Sequence, residues 1–185
     1  MATTVIKKLS GKMLAGMLWY GINSLEKHRK TINDLNVFPV PDGDTGTNML
    51  LTLQKAFQAV NQKEDDIDEV IEDFARAAVF GARGNSGVII SQFFRGMAEE
   101  IDGDDVNARE LAKALARGYQ FAYLAVGKPV EGTILTVMRD AAKTVDTEMK
   151  KTSVINTFFT AVSASSIATS SLAYASRSVC VTIIY

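Results

Sequence analysis

The sequence contains a single cysteine, Cys180, and so lacks the pair of thiols that an intramolecular disulfide requires. Because disulfides are rare in reducing compartments, this shortage predicts a cytoplasmic location. The first residues lack the unbroken apolar core and the small-residue cleavage site of a signal peptide. Before the tail there is also no run of about 20 apolar residues free of charge, so the sequence predicts no membrane span.

Neither sign of charge is in excess, since 20 basic residues stand against 21 acidic ones and the formal net charge is -1. Nucleic-acid-binding proteins usually carry a basic surplus or stripe, so this balance argues against a nucleic acid partner. Histidine is scarce as well, because His28 is the only one and falls in a run of basic residues. We expect it to be a solvated surface residue rather than a catalytic base.

The composition is that of an ordinary globular domain, with 185 residues of which 47% are hydrophobic and 22% charged. Apolar residues recur at helical spacing, and no alternating run is long enough to predict a strand. The sequence therefore predicts an all-α domain. We expect helices over about 10–30, 47–62, 66–80, 88–101, 108–126 and 132–150, and the start of another at 154–162. Between 102 and 110 we expect a turn, with Asn107 as an N-cap.

The last residues differ in character from the rest. From about Ser163 to Tyr185 there are many serines, no acid and one base, Arg177. An amphipathic helix would carry charge on its outer face, so we expect a domain over 1–162 and an aberrant or poorly ordered tail over 163–185. An altered reading frame, a cloning artefact and a naturally polar tail all remain open.

The segment PDGDTGTN, 41–48, interrupts the helical pattern after two prolines and is predicted to be a loop. Asp42 and Asp44 stand on either side of Gly43, so both carboxylates can converge on one cation. Oxygen ligands of this kind suit a hard ion such as Mg²⁺. The threonines and glycines that follow offer hydroxyl and N–H groups at a helix start, where an anion is favoured. The alternative is a plain capping turn in which Asp44 or Thr45 caps the next helix.

A second glycine-rich segment, GARGNSG at 81–87, precedes an apolar helix and adds the hydroxyl of Ser86. A phosphate group fits such a helix start, although the segment is not a Walker loop because no Gly-Lys-Ser/Thr follows. The alternative is a close crossing of two helices at small residues. Arg83 either neutralises phosphate or faces water.

A third segment, GKPVEGTILTV from Gly127, repeats this pattern, with Gly132 and Thr133 at the entry to a helix. Glycine and threonine at a helix start again offer a turn, a hydroxyl and N–H groups. By itself the segment also fits plain helix capping, so both interpretations stay open.

Three stretches, at 36–49, 81–87 and 131–136, carry a family resemblance in their residues and their order. They resemble the nucleotide-binding L-subunit domain of the dihydroxyacetone kinases and, more closely, the N-terminal kinase domain of the bacterial fatty acid kinase A group. The similarity covers roughly residues 5–162. It implies a barrel of about eight antiparallel amphipathic helices, the last incomplete here, with ATP and two Mg²⁺ ions held by loops at one end.

Carried over position by position, the resemblance implies that Asn36, Asp42 and Asp44 bind the metal and that the two aspartates are the catalytic residues. The residues implied to contact the nucleotide are Thr45, Gly46, Thr47, Asn48, Gly84, Asn85, Ser86, Gly87, Gly132 and Thr133.

The resemblance also implies a function, namely ATP-dependent phosphoryl transfer to an acceptor carried by a separate protein. The acceptor implied first is a fatty acid carboxylate on a fatty-acid-binding subunit, and the second is dihydroxyacetone on its own binding subunit. A homodimer is left open. The alternative is a metal- or nucleotide-binding regulatory module without catalysis. The family has a closing helix and glycine-containing loop where this chain has its tail, so we expect no phosphoryl transfer by this chain alone.

Overall fold

The structure, a computed structural model, describes residues 6–36, 41–151 and 154–162. This part of the chain is predominantly helical, which confirms the all-α class. The helices are α1 (Gly11–Asp34), α2 (Thr45–Phe57), α3 (Ile67–Phe80), α4 (Gly84–Glu100), α5 (Ala108–Leu124), α6 (Ile134–Met149) and α7 (155–162, as far as it is described). The expectations for 163–185 lie outside the described residues.

Two short strands were not expected from the sequence. Strand β1 (Lys8–Ser10) pairs antiparallel with β2 (Asp105–Asn107), so part of the predicted turn at 102–110 is a strand. Leu9 lies opposite Val106, and both side chains are buried in the core. Three-residue strands are too short for alternation to reveal them, which is why the prediction that this region lacks strands was wrong.

Several helix boundaries also differ from expectation. Helix α1 runs one turn past Lys30, because Ile32 still packs into the core. Helix α2 begins two residues before the predicted start and ends five residues early, at Phe57. Helix α4 begins at Gly84 rather than at 88, so half of the predicted glycine loop is its first turn. The predicted start of α3 is within one residue of the observed one, and the N-cap of α5 is confirmed.

Successive helices run in opposite directions. Gly11 N, at the start of α1, donates to Asp65 O (2.7 Å), just before α3. Arg109 Nε, near the start of α5, donates to Met149 O (3.2 Å), the last residue of α6. The starts of α1, α3 and α5 therefore lie with the two strands at one end, the strand end. The starts of α2, α4 and α6 lie at the opposite end, the loop end.

One continuous apolar core joins the helices. Phe74 of α3 is fully buried and meets Phe94 of α4 edge to face, with ring centroids 4.8 Å apart. Ile155 and Phe158 bring α7 into the same core. Among the described residues, however, no extensive contact joins α6 back to α1. The antiparallel arrangement is thus observed, whereas closure into a barrel is not.

No helix in the described part of the chain combines the length and apolar character that crossing a membrane requires.

The start of α5 supplies a test of the fold. Asn107 Oδ1 accepts from Arg109 N (2.9 Å) and Glu110 N (3.2 Å), and Glu110 Oε2 accepts from Asn107 N (2.8 Å), which completes a capping box. Replacing Asn107 by alanine should lower the free energy of unfolding by about 1 kcal/mol, because these N–H groups lose their acceptor. Urea denaturation measures the loss.

The control is Asn107→Asp, which keeps the side-chain acceptor and should stay close to the parent in the same urea titration. Equal stability of the alanine and aspartate variants would show that the capping box contributes nothing.

Candidate functional site

The DGD turn at the loop end presents two carboxylates. Gly43 has φ +66°, a left-handed conformation that glycine adopts without strain, and it separates Asp42 from Asp44. Asp44 occupies the N-cap position of α2, yet its side chain makes no capping hydrogen bond. Only its backbone oxygen serves the helix, by accepting from Asn48 N (2.8 Å). The interpretation of Asp44 as a structural cap is therefore wrong, and its carboxylate has no hydrogen-bond partner within the described residues.

Asn33, near the end of α1, does the capping instead. Its Oδ1 accepts from Gly46 N (2.8 Å) and Thr47 N (3.1 Å), and its Nδ2 donates to Thr47 Oγ1 (2.9 Å). Sequence reasoning missed this residue because it precedes the capped helix by more than ten positions. Two N–H groups at the start of α2 are thus already satisfied within the protein.

Asn36, which the resemblance implies as a metal ligand, lies beside the first carboxylate. Its Nδ2 donates to Asp42 Oδ1 (2.5 Å), and its backbone N donates to Asn33 O (3.1 Å). The amide oxygen of Asn36 has no partner among the described residues, so it remains available as a ligand. Asn36 and Asp42 are brought together by a direct contact, while Asp44 follows two residues later on the same turn.

The carboxylate oxygens of Asp42 and Asp44 and the amide oxygen of Asn36 are ligands of the kind that suits Mg²⁺. The described residues contain no group of three or more histidine, cysteine, aspartate or glutamate side chains that could enclose a metal. Mg²⁺ is usually held by one or two carboxylates, with waters and substrate phosphates completing its coordination. Two carboxylates and an amide oxygen on one loop match that pattern, provided that a phosphate is bound close by.

The start of α4 offers a place for that phosphate. The side chain of Arg83, the N-cap residue, makes no capping hydrogen bond. The first hydrogen bond of the helix runs from Gly87 N to Arg83 O (2.9 Å). Within the described residues, the N–H groups of Gly84, Asn85 and Ser86 have no acceptor. Unpaired N–H groups at a helix start attract an anion. This helix start, unlike that of α2, is open.

The two helix starts touch each other. Ser86 Oγ donates to Thr45 O (3.2 Å), and Gly84 packs directly on the side chain of Asn48. A Cβ at Gly87 would stand 2.5 Å from Thr52 Oγ1, closer than real Cβ atoms come to other atoms. The alternative of a close helix crossing is therefore confirmed for this segment. The glycines at 84 and 87 have a packing reason and are not by themselves evidence for a phosphate site.

The third predicted segment has its own hydrogen-bond network. Gly132, at φ +78°, donates from its N to Thr136 Oγ1 (2.9 Å), and that hydroxyl donates to Glu131 Oε2 (2.9 Å). The Arg139 guanidinium, together with the Thr136 hydroxyl, holds the pKa of Glu131 below its ordinary value. Thr133 is the N-cap residue of α6 but makes no side-chain cap bond. In the described part of the chain, no hydrogen bond or ion pair joins this segment to the other two, although it lies at the same loop end.

Two other residues singled out by the sequence lie at the surface. His28 is exposed on α1, where its Nδ1 lies 2.9 Å from Ser24 O, which confirms the expected surface position. Arg83 is exposed and forms no ion pair with any described residue. The histidine is therefore not part of the site, while the arginine stands at the open start of α4.

Comparison with known proteins identifies the family. The DAK2 domain family matches residues 39–176 of the chain, a stretch that contains the DGD turn, the glycine segment and the start of α6. The chain belongs to the DAK2 domain family. The DAK2 family is kinase-related, and its match includes the three segments at the loop end.

Individual relatives are much longer than this chain. Protein YloV of Bacillus subtilis is 46% identical over 159 residues, which are 85% of this chain and 29% of YloV. An uncharacterized protein of Staphylococcus haemolyticus is 45% identical over 150 residues, 80% of this chain and 27% of its own length. One of Staphylococcus aureus is 46% identical over 141 residues, 75% of this chain and 26% of its own. The chain thus spans about a quarter of the length of the relatives that it matches.

Proposed function

We propose that this DAK2 domain is an ATP-dependent phosphotransferase domain whose site is the loop end. In this proposal the carboxylates of Asp42 and Asp44 and the amide oxygen of Asn36 hold magnesium. We propose that two Mg²⁺ ions bind. The single observation that carries the proposal is the contact between the DGD-bearing start of α2 and the open start of α4. A cation site and an anion site within contact distance are what a metal-nucleotide complex requires.

The two helix starts would bind different parts of the metal-nucleotide complex. Because Asn33 already occupies the N–H groups of Gly46 and Thr47, the phosphates meet open N–H groups at 84–86 instead. Thr45, Asn48 and the residues at 132 and 133 line the rest of the proposed nucleotide site. Bound Mg²⁺ would neutralise the phosphate charge, and the protein would hold the phosphates in position.

We propose the same domain limits as the sequence suggests, 1–162, with a barrel completed by a further helix.

The proposed acceptor is a fatty acid carboxylate carried by a separate binding protein, with carrier-bound dihydroxyacetone as the second choice. In the first case a carboxylate oxygen attacks the γ-phosphorus of ATP, the bond to the β,γ-bridging oxygen breaks, and ADP leaves. A fatty acid carboxyl group, with a pKa near 4, is already ionised at neutral pH, so no general base is needed. The exposed position of His28, whose ring lies against Ser24 O within α1, agrees with that acceptor.

The regulatory module without catalysis uses the same carboxylates and the same helix starts. The two functions separate in one assay, transfer of the ³²P-labelled γ-phosphoryl group to an acyl chain on its carrier protein. Because this chain alone is expected not to transfer phosphate, the assay uses a variant in which a charged helical segment and the family's glycine-containing loop replace residues 163–185. Labelled acyl phosphate supports the phosphotransferase, and tight Mg-ATP binding without labelled product supports the module.

Magnesium and nucleotide should bind together. Carboxylates at 42 and 44 repel a polyanion until a cation lies between them, so ATP should bind at least about tenfold more tightly in Mg²⁺ than in EDTA. Isothermal titration calorimetry of the 185-residue chain measures both affinities. The variant His28→Ala, at an exposed residue whose Nδ1 lies against Ser24 O within α1, is the control and should bind as the parent does. Equal affinity with and without Mg²⁺ would overturn the proposed function.

A further inference from the structure

Two buried polar side chains stand out in the described core, Thr52 and Ser91, and their surroundings differ. Thr52 Oγ1 donates to Asn48 O (2.7 Å) within α2 and accepts from Arg83 N (3.1 Å), which belongs to the start of α4. Ser91 Oγ donates to Val88 O (2.8 Å) inside its own helix. The threonine hydroxyl therefore joins two elements of the loop end, whereas the serine hydroxyl joins none.

The position of the Thr52 hydroxyl is tightly restricted. Its side chain is fully buried, and a β-branched side chain in a helix has few rotamers to choose from. Gly87 packs directly against the hydroxyl, so α4 approaches α2 as closely as a missing Cβ allows. The N–H of Arg83 is also the last one before the three open N–H groups of α4. A shift of this one bond would therefore move those N–H groups as a set.

We infer that Thr52 is a positioning residue of the nucleotide site, which it does not itself touch. The inference rests on the proposed function. Through Asn48 O the hydroxyl is tied to the first turn of α2, which follows the DGD carboxylates, and through Arg83 N to the helix start that receives phosphate. Thr52 thus sets the distance between the cation site and the anion site. A metal-nucleotide complex has a fixed separation between metal and phosphate, so this distance governs how well both are bound at once.

The test compares three single variants of the whole chain. Thr52→Val keeps the shape and removes the hydroxyl, Thr52→Ser keeps the hydroxyl, and Ser91→Ala removes the other buried hydroxyl. We expect Thr52→Val to weaken Mg-ATP binding about tenfold, Thr52→Ser to stay within about twofold of the parent, and Ser91→Ala to bind as the parent does. Calorimetry with ATP and Mg²⁺ gives the affinities, and urea denaturation gives the stability of each variant. If Thr52→Val does not fold, Thr52→Ala replaces it in the comparison.

Amide hydrogen exchange adds a readout that needs no nucleotide. Loss of the hydroxyl should speed exchange at Arg83 and leave exchange at the middle of α4 unchanged, while Ser91→Ala should do neither. If Thr52→Val and Ser91→Ala lose affinity equally, in step with their stability, then Thr52 is merely structural and the inference is overturned. A parent chain that binds no Mg-ATP at all would overturn the proposed function and the positioning role together. An equal loss of affinity in Thr52→Val and Ser91→Ala would overturn the positioning role alone, so the two failures can be told apart.

Discussion

Replacing Asp44 by asparagine should abolish Mg²⁺-dependent nucleotide binding and leave the fold nearly unchanged. The carboxylate is expected to be a direct metal ligand, and loss of even an indirect supporting group typically costs about 10–100-fold in metal affinity. We therefore expect a loss of at least about 100-fold in Mg-ATP affinity. Because the side chain makes no hydrogen bond in the described structure, thermal unfolding should shift by less than about 2 °C. Calorimetry with ATP and a thermal scan measure the two quantities.

A matched control exists at another helix start. Asp66 is the N-cap of α3, and unlike Asp44 its carboxylate accepts a hydrogen bond, from Asp68 N (2.9 Å). Asp66→Ala should lower the free energy of unfolding by about 1 kcal/mol and leave Mg-ATP affinity unchanged. Asp44→Ala should instead lower the Mg-ATP affinity and leave the free energy of unfolding nearly unchanged. If Asp44→Ala unfolds as readily as Asp66→Ala and still binds nucleotide, the DGD carboxylates are structural and the metal assignment is wrong.

The sequence predicted most of the helices because their apolar stripes repeat over many residues. Helices α3 and α5 start where the pattern and the capping residues, Asp66 and Asn107, place them. The strands and the true start of α4 escaped prediction because both depend on contacts with distant parts of the chain. Leu9 is paired with Val106 across nearly a hundred positions, and no local pattern contains that information.

The segments of the candidate site could be singled out from the sequence, whereas their assembly could not. The DGD turn stands out because two carboxylates lie on either side of a glycine, and the metal that it would hold stays a prediction. Asn33 could not be found in this way, since its role depends on the end of α1 meeting the start of α2. Thr52 reads as one more polar residue within a helix until the structure shows that its hydroxyl holds the start of α4.

The glycines at 84 and 87 show why one pattern admits two interpretations. A glycine-rich helix start exposes N–H groups to an anion, and it equally permits close approach of another helix. The structure supplies the second reason for both residues, since each packs on a side chain of α2. The first reason remains a prediction, and it depends on the three open N–H groups rather than on the glycines. Substitutions of the glycines therefore test packing first and binding only through packing.

Replacing glycine by alanine at positions 87 and 16 should therefore have opposite effects on the free energy of unfolding. Gly87→Ala would place a Cβ against the buried Thr52 hydroxyl, and overpacking of this kind typically costs about 1–3 kcal/mol. Gly16 lies in the second turn of α1, where a built Cβ meets nothing within 4 Å. Gly16→Ala should therefore stabilise the protein by about 0.5–1 kcal/mol, because alanine is the better helix former. Urea denaturation of the two variants beside the parent gives both free energies.

A double-mutant cycle decides whether the collision with Thr52 is the cause. Thr52→Ala removes the hydroxyl that the new Cβ would meet, so Gly87→Ala should cost less in that background than in the parent. Residues in contact commonly show coupling energies of about 0.5–3 kcal/mol, whereas independent sites add within a few tenths. Gly16→Ala, made in the same Thr52→Ala background, should be additive because α1 carries no contact to that hydroxyl. If Gly87→Ala is additive as well, collision with the Thr52 hydroxyl is not the cause of its cost.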